Sequence, residues 1–239
     1  MNSIYTKILS SKENGKKLLA ILLDPDKLQL SKIKETVSKI NPQKVNFIFV
    51  GGSLVAKGAT QIFVNELKRF TKIPIVLFPG DFTQITLEAD ALLFLTLLSG
   101  RNPEYLITQQ IKSVPLLKNS KLEVIPTGYI LIDGGVETAV QKVSNTKPIS
   151  QNNIEEIINT ACAAMYMGNK LIYLEAGSGA VNAIDTNIIK SVKEKTNIPI
   201  IVGGGIKTKK QLEIAYQNGA DLVVIGNGFE ENNSLLFQL

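Results

Sequence analysis

Histidine is absent from this chain of 239 residues. Its absence excludes the mechanisms that depend on imidazole, namely the Ser–His pair, the Cys–His pair and most catalytic zinc sites. Acid–base chemistry must therefore come from carboxylates, lysine or tyrosine. Hard cations such as Mg²⁺ are still permitted, because they take oxygen ligands from carboxylates and from the phosphates of substrates.

Cysteine is nearly absent as well, since Cys162 is the only one. A single cysteine allows neither an internal disulfide nor a cysteine metal cluster, which fits a reducing compartment. The first 17 residues lack the apolar centre of a signal peptide, and no run reaches the roughly 18 apolar residues of a membrane span. We therefore expect a cytoplasmic protein without a transmembrane segment.

Basic clusters interleaved with aromatic residues are also missing. The 26 lysines and arginines exceed the 21 aspartates and glutamates by 5, but the lysines are scattered and aromatics make up 6% of the chain. Proteins that bind nucleic acids more often concentrate both residue types, so no nucleic-acid partner is predicted. The surplus of positive charge is compatible with an anionic small substrate or with a membrane surface.

Short apolar runs alternate along the whole chain with stretches of helical spacing. Near-continuous apolar strands joined by helical crossovers indicate a parallel sheet covered on its outer face. Eight such units in a chain of this length predict one α/β domain over residues 1–239, a TIM (β/α)8 barrel. An open doubly wound sheet is the alternative, and it would bind phosphate at the first strand. The eight runs are 18–25, 45–53, 73–80, 91–99, 122–133, 171–179, 198–205 and 221–228.

Two segments depart from a regular barrel. Residues 80–90 are too few for a full crossover helix, so we expect a modified barrel in which the helix after strand three is missing or replaced by extended chain. Residues 127–150 form a long polar insertion that could lie over the mouth of the barrel.

Glycines follow the last two predicted strands. They are Gly203, Gly204 and Gly205 after strand seven, and Gly226, with Asn227 and a further glycine, after strand eight. TIM barrels commonly hold phosphate at this pair of loops, where backbone without side chains approaches the ligand closely. The pattern therefore predicts a phosphate site. Tight turns that need positive φ are the alternative explanation.

The stretch YLEAGSGA, residues 173–180, delivers one carboxylate, Glu175, beside the predicted phosphate loops. Strand alternation places Tyr173 on the same face and Leu174 on the opposite face. A carboxylate there suits the hydroxyls of a phosphorylated polyol, from one of which it could take a proton as general base. An ion pair with a barrel lysine is the alternative.

Asp24 ends the first strand on the opposite side of the mouth, and Ser53 follows the second strand. Together they predict a Mg²⁺ site for a second substrate that carries phosphate. Ordinary turn chemistry also explains an Asp before Pro25. Lys27 could neutralise diphosphate charge or face solvent.

Two other functions use the same barrel. A phosphosugar isomerase, epimerase or aldolase is one, and an imine-forming aldolase would need a lysine such as Lys27 or Lys207 near a strand end. The other is a non-catalytic phosphate-binding barrel, although binding alone would not need both Asp24 and Glu175.

Taken in order, the strings LLDPDK, FVGGS, PTGYI, YLEAGSGA, GGGI and IGNG resemble the geranylgeranylglyceryl phosphate synthase family, which includes the bacterial heptaprenylglyceryl phosphate synthases. The resemblance covers nearly the whole chain. Thr127 stands where other branches of the family tend to carry Glu. In this respect the chain resembles the larger-bodied branch, which is found partly in bacteria.

The resemblance implies a Mg²⁺-dependent prenyltransferase of ether-lipid biosynthesis, which joins sn-glycerol 1-phosphate to an isoprenoid diphosphate such as geranylgeranyl diphosphate. It also implies a homo-oligomer, either a dimer or a hexamer, and peripheral membrane contact is compatible with the lipid product. Carried over by position, the metal residues are Asp24 and Ser53. For the reaction itself we predict Glu175, Asp24 and Tyr173 as the catalytic residues. The implied glycerol-phosphate site consists of Tyr173, Leu174, Glu175, Ala176, Gly177, Ser178, Gly179, Gly204, Gly205, Gly226 and Asn227.

The prenyl tail requires an apolar channel near the ends of strands three to five. Phe78, Phe94, Tyr105 and Tyr129 are the candidate lining residues. Each could equally be part of the ordinary core.

Overall fold

The computed structural model describes residues 3–226, which contain a closed barrel of eight parallel strands in sequential order. The first strand pairs with the last, with Leu18 in register with Leu222 and Ile21 with Ile225. This closure confirms the predicted TIM barrel and excludes the open sheet. The strands are β1 Leu18–Leu23, β2 Phe47–Val50, β3 Ile75–Leu77, β4 Ala91–Leu97, β5 Glu123–Leu131, β6 Leu171–Glu175, β7 Ile200–Gly203 and β8 Leu222–Ile225.

Helices cover the outside of the barrel, and one precedes the first strand. A π-helical turn, Glu104–Thr108, leads into the fourth helix. Within residues 3–226, none of the helices combines the length and apolar character that a bilayer crossing requires. The helices are α1 Ile4–Glu13, α2 Ile33–Ser38, α3 Ala59–Phe70, α4 Gln109–Leu117, α5 Ala139–Ser144, α6 Ile154–Tyr166, α7 Thr186–Lys195 and α8 Lys209–Gln217.

The crossover between β3 and β4 contains no α-helix, as predicted. A single 3₁₀ turn, Phe82–Gln84, is capped by the Asp81 side chain, which accepts the Thr83 amide. β3 is only three residues long and is in register with β4 only up to Leu77. Beyond Leu92, β4 therefore has no strand partner on this side.

The insertion after strand five is shorter than predicted. Residues 127–131 belong to β5, where the ladder to β6 fixes them, so the insertion begins at residue 132. It contains α5, whose start is closed by a capping box between Thr138 and Gln141. Thr127 is buried, and its hydroxyl bonds to the Ile125 carbonyl.

Strand alternation divides the apolar side chains into two layers. Tyr173 belongs to the layer inside the barrel, whereas Leu174 and Ala176 pack between the strands and the helices. The predicted opposition of Tyr173 and Leu174 is therefore confirmed.

The amino-terminal end of the barrel is sealed. Ile4 and Ile8 of α1 pack with residues at the start of several strands, including Leu18. Glu123 accepts the backbone amides of Ile4 at 2.6 Å and Tyr5 at 2.9 Å, so a carboxylate caps the positive end of α1. The opposite end, where the strands finish, is left for a ligand.

Candidate active site

A cavity of about 760 Å³ opens at the carboxyl ends of the strands. It contains most of the side chains that the sequence selects, and it brings Glu175 and Asp24 into one mouth. A single ligand-binding chamber therefore joins the two predicted halves of the site. The predicted site residues that line it are Asp24, Ser53, Tyr173, Glu175, Gly177, Ser178, Gly179, Gly204, Gly205 and Gly226.

Two other predicted residues do not present side chains to this cavity in the structure. The side chains of Leu174 and Ala176 pack into the outer apolar layer, so only their backbone atoms could reach a ligand. Asn227 lies outside the described residues.

Glu175 ends β6 and is 7% exposed. Its Oε1 accepts the backbone amide of Gly177 at 2.7 Å. Within residues 3–226 no lysine or arginine pairs with it, so the ion-pair explanation is not supported. Its remaining hydrogen-bonding capacity is directed at the cavity that it lines.

Burial raises the pKa of Glu175 from 4.5 to about 7, because water cannot solvate the charged form. The hydrogen bond from Gly177 and the nearby Tyr173 hydroxyl lower this pKa and only partly offset burial. The group therefore exchanges a proton near neutral pH, which suits a general base.

Gly203, which ends β7, and Gly204, which follows it, lie against the Glu175 carboxylate. A Cβ at Gly203 would lie 2.5 Å from Oε2, and a Cβ at Gly204 would lie 2.6 Å from Oε1. Gly204 and Gly205 also have positive φ, of 79° and 72°. Both the steric and the conformational requirements for glycine are thus present. Among the described residues, the amides of Gly204 and Gly205 make no backbone hydrogen bond, which leaves them able to donate to a ligand.

Three aromatic rings lie below Glu175. Tyr173 stacks on Phe78 with centroids 5.0 Å apart and meets Tyr129 edge-on at 5.4 Å. The Tyr173 hydroxyl is buried and makes no hydrogen bond of ordinary geometry within residues 3–226. Burial, with Glu175 adding to it, raises the pKa of Tyr173 well above its usual value. The hydroxyl therefore stays protonated and is available as a donor.

Asp24 lies on the other side of the mouth. Its Oδ1 accepts the Asp26 amide at 3.1 Å, which is the turn chemistry considered above, and its Oδ2 is 3.5 Å from the Lys27 ammonium. A Cβ at Gly52 would lie 2.8 to 2.9 Å from the carboxylate atoms, so the carboxylate occupies the space that a side chain would fill.

The residues around Asp24 fit a hard cation. Asp24 and the Ser53 hydroxyl supply oxygen ligands, and no group of three or more histidine, cysteine or acidic side chains converges anywhere in the described chain. Mg²⁺ is usually bound by one or two carboxylates together with substrate phosphates and water. The site thus suits a cation that arrives with a phosphorylated substrate.

The wall between the two halves is apolar. All four predicted channel residues line the cavity, together with Leu93, Leu95 and Leu97 of β4 and Val140 and Val143 of α5, which sequence reasoning missed. The alternation of β4 could have indicated its three leucines. The α5 residues had no such signal, because the polar composition of the insertion concealed them. The four predicted residues are Phe78, Phe94, Tyr105 and Tyr129.

Known proteins with similar sequences share one name. A geranylgeranylglyceryl phosphate synthase of Zunongwangia profunda is 51% identical over 230 residues, which are 96% of this chain and 98% of the relative. The synthase of the same name from Flavobacterium johnsoniae is 49% identical over 233 residues, covering 98% and 96%.

A solved structure agrees. The (S)-3-O-geranylgeranylglyceryl phosphate synthase of Thermoplasma acidophilum, in complex with its substrate sn-glycerol-1-phosphate, superposes with a TM-score of 0.92 at 31% identity, covering 99% of this chain and 96% of that one. The model of the PcrB family matches residues 12–238. The resemblance found in the sequence is confirmed, and the chain belongs to the PcrB family.

Proposed function

We propose that this chain is a Mg²⁺-dependent prenyltransferase. It joins sn-glycerol 1-phosphate to a long-chain isoprenoid diphosphate, with geranylgeranyl diphosphate as the donor, and releases diphosphate in ether-lipid biosynthesis. The observation that carries the proposal is a single chamber in which the buried carboxylate of Glu175 beside glycine loops, the carboxylate of Asp24 and an apolar wall all meet. The two proposed substrates have parts that are complementary to these three features.

Glycerol phosphate fits the side formed by β6 and β7. The amides of Gly204 and Gly205, which make no backbone hydrogen bond among residues 3–226, suit its phosphate, and Ser178 and the Tyr173 hydroxyl suit the glycerol backbone. Glu175 then receives the hydrogen bond of the free glycerol hydroxyl. The oxygen of that hydroxyl attacks the allylic carbon of the prenyl diphosphate. The bond between this carbon and the diphosphate oxygen breaks, and Glu175 takes the hydroxyl proton.

The diphosphate fits the side formed by β1 and β2. Asp24 and Ser53 would hold Mg²⁺, which supplies charge stabilisation to the leaving diphosphate when bound. Lys27, which pairs with Asp24, adds positive charge at the same edge. Alkylation of the glycerol hydroxyl by the allylic carbon needs no protein nucleophile. This is consistent with a chain that has no histidine.

The competing enzyme class finds less support in the geometry. Lys27 and Lys207 line the cavity, but neither lies within a strand, and Lys27 is paired with Asp24. An imine-forming lysine is instead kept neutral by burial in apolar surroundings. A non-catalytic barrel would not need a carboxylate whose pKa is raised to about 7.

Oligomerisation is part of the proposal. Ile107, Ile111 and Val114 are 54%, 62% and 50% exposed and lie at helical spacing along the π-helical turn and α4. An apolar row of this kind suits a contact between copies of the chain. A cytoplasmic location and peripheral membrane contact stay predictions.

The chemistry is tested with purified chain, labelled prenyl diphosphates from geranyl to heptaprenyl, and both glycerol phosphate enantiomers. We expect an extractable ether product from sn-glycerol 1-phosphate, the highest kcat/KM with geranylgeranyl diphosphate, and loss of turnover in EDTA that Mg²⁺ restores. Unchanged turnover in EDTA would contradict the metal site. Binding of glycerol phosphate without consumption of any diphosphate would contradict the reaction.

Substitution of Glu175 by glutamine should reduce kcat about a hundredfold or more, because the amide cannot accept the proton. For the unsubstituted chain, kcat should rise with pH and level off above about 7, since the carboxylate must be ionised to act. The Glu175→Gln variant should lose this dependence. Glu213→Gln, an exposed position on α8, is the matched control and should behave like the parent. Full turnover in Glu175→Gln would refute the assigned role.

The oligomer is tested by light scattering of the parent and of Ile111→Lys. We expect a dimer or hexamer that dissociates in the variant, because a charge in the contact is desolvated without a partner. Lys121→Glu, at an exposed position before β5, should leave the assembly intact. A monomeric parent protein would show that the apolar row has another role.

A further inference from the structure

One buried amide joins the two loops beside Asp24. Gln84 is 2% exposed and lies in the 3₁₀ turn that replaces the third crossover helix. Its Nε2 donates to the Gly52 carbonyl at 2.9 Å, and its Oε1 accepts the Gly80 amide at 3.1 Å. Both polar atoms of the side-chain amide therefore form hydrogen bonds with backbone, the nitrogen in the loop after β2 and the oxygen in the loop after β3.

These loops are in close backbone contact. A Cβ at Gly80 would lie 2.6 Å from the Gly52 carbonyl oxygen and 2.8 Å from that of Ser53. A Cβ at Gly51 would collide with the Phe78 carbonyl. No side chain fits between the loops, so the separation between them is fixed by backbone contact and by the amide of Gln84.

The opposite side of Gly52 faces the metal half of the site. The Asp24 carboxylate occupies the space of the missing side chain there, 2.8 to 2.9 Å from an ideal Cβ. Gly52 is thus held between Gln84 and Asp24. A displacement of Gly52 in either direction would move Ser53 or would collide with the carboxylate.

We propose that Gln84 is a positioning residue for the diphosphate and metal half of the site. It does not line the cavity, and it acts by fixing the Gly52–Ser53 backbone against which Asp24 lies. This inference rests on the proposed function for the identity of the ligand. The glycerol-phosphate half, built on β6 and β7, makes no hydrogen bond with Gln84 among the described residues and serves as an internal reference.

Both polar atoms of the neutral side-chain amide are needed, the oxygen as an acceptor and the nitrogen as a donor. Glutamate at this position could still accept the Gly80 amide, but its second oxygen would face the Gly52 carbonyl and repel it. Methionine has a similar shape and would leave both backbone groups without a partner. Each change removes a hydrogen bond from a buried backbone group, and such groups are costly to leave unpaired.

Binding of each half is measured separately by calorimetry, with inorganic diphosphate plus Mg²⁺ for one half and sn-glycerol 1-phosphate for the other. For Gln84→Glu and Gln84→Met we expect affinity for diphosphate to fall about tenfold and affinity for glycerol phosphate to stay within about twofold. In steady-state assays the KM for prenyl diphosphate should rise while that for glycerol phosphate stays unchanged.

Asn46→Asp is the matched control, because Asn46 also bonds an amide, that of Leu19, but at the sealed end of the barrel. The variant makes the same change from amide to carboxylate as Gln84→Glu and keeps the oxygen that accepts the Leu19 amide, so it should leave diphosphate affinity unchanged. The positioning role would be rejected if the Gln84 variants lost affinity for both ligands equally, or if Asn46→Asp lost as much affinity for diphosphate. Failure of both Gln84 variants to fold would also reject it. If the parent chain binds no diphosphate at all, the proposed function fails instead.

Discussion

The burial of the Glu175 carboxylate constrains the whole mouth of the barrel. Its two oxygens lie 2.5 and 2.6 Å from ideal Cβ positions at Gly203 and Gly204, so a side chain at either position would displace the carboxylate. The same burial holds its pKa near 7 and leaves it one fixed backbone donor, the Gly177 amide. Within the described residues no lysine neutralises it, so this carboxylate costs folding free energy above neutral pH, which is typical of a group retained for chemistry.

Glycine also organises the opposite half of the mouth, where Asp24 fills the space beside Gly52. Each half therefore places a carboxylate against bare backbone. The halves differ in solvation, since Glu175 is buried and the Asp24 side chain is partly exposed. The enclosed group suits proton transfer, and the rim group suits a hydrated cation that enters with its substrate.

Most of the barrel was predictable from the sequence, because apolar runs ending in glycine mark strand ends and the short segment 80–90 leaves no room for a helix. The site loops were also predictable from Glu175, Asp24 and the glycine positions. Gln84 was not, because an isolated glutamine in a polar segment gives no sign that both ends of its amide are satisfied by backbone. The apolar face of α5 could not be predicted for a similar reason, because Val140 and Val143 reach the cavity only through the tertiary fold.

A crystal structure with sn-glycerol 1-phosphate, Mg²⁺ and diphosphate bound together tests the central claim most directly, namely that the two carboxylates serve different substrates. We predict the glycerol hydroxyl on Glu175, its phosphate at the amides of Gly204 and Gly205, and the diphosphate with its cation beside Asp24. Diphosphate bound at the glycine loops, or glycerol phosphate beside Asp24, would contradict the account.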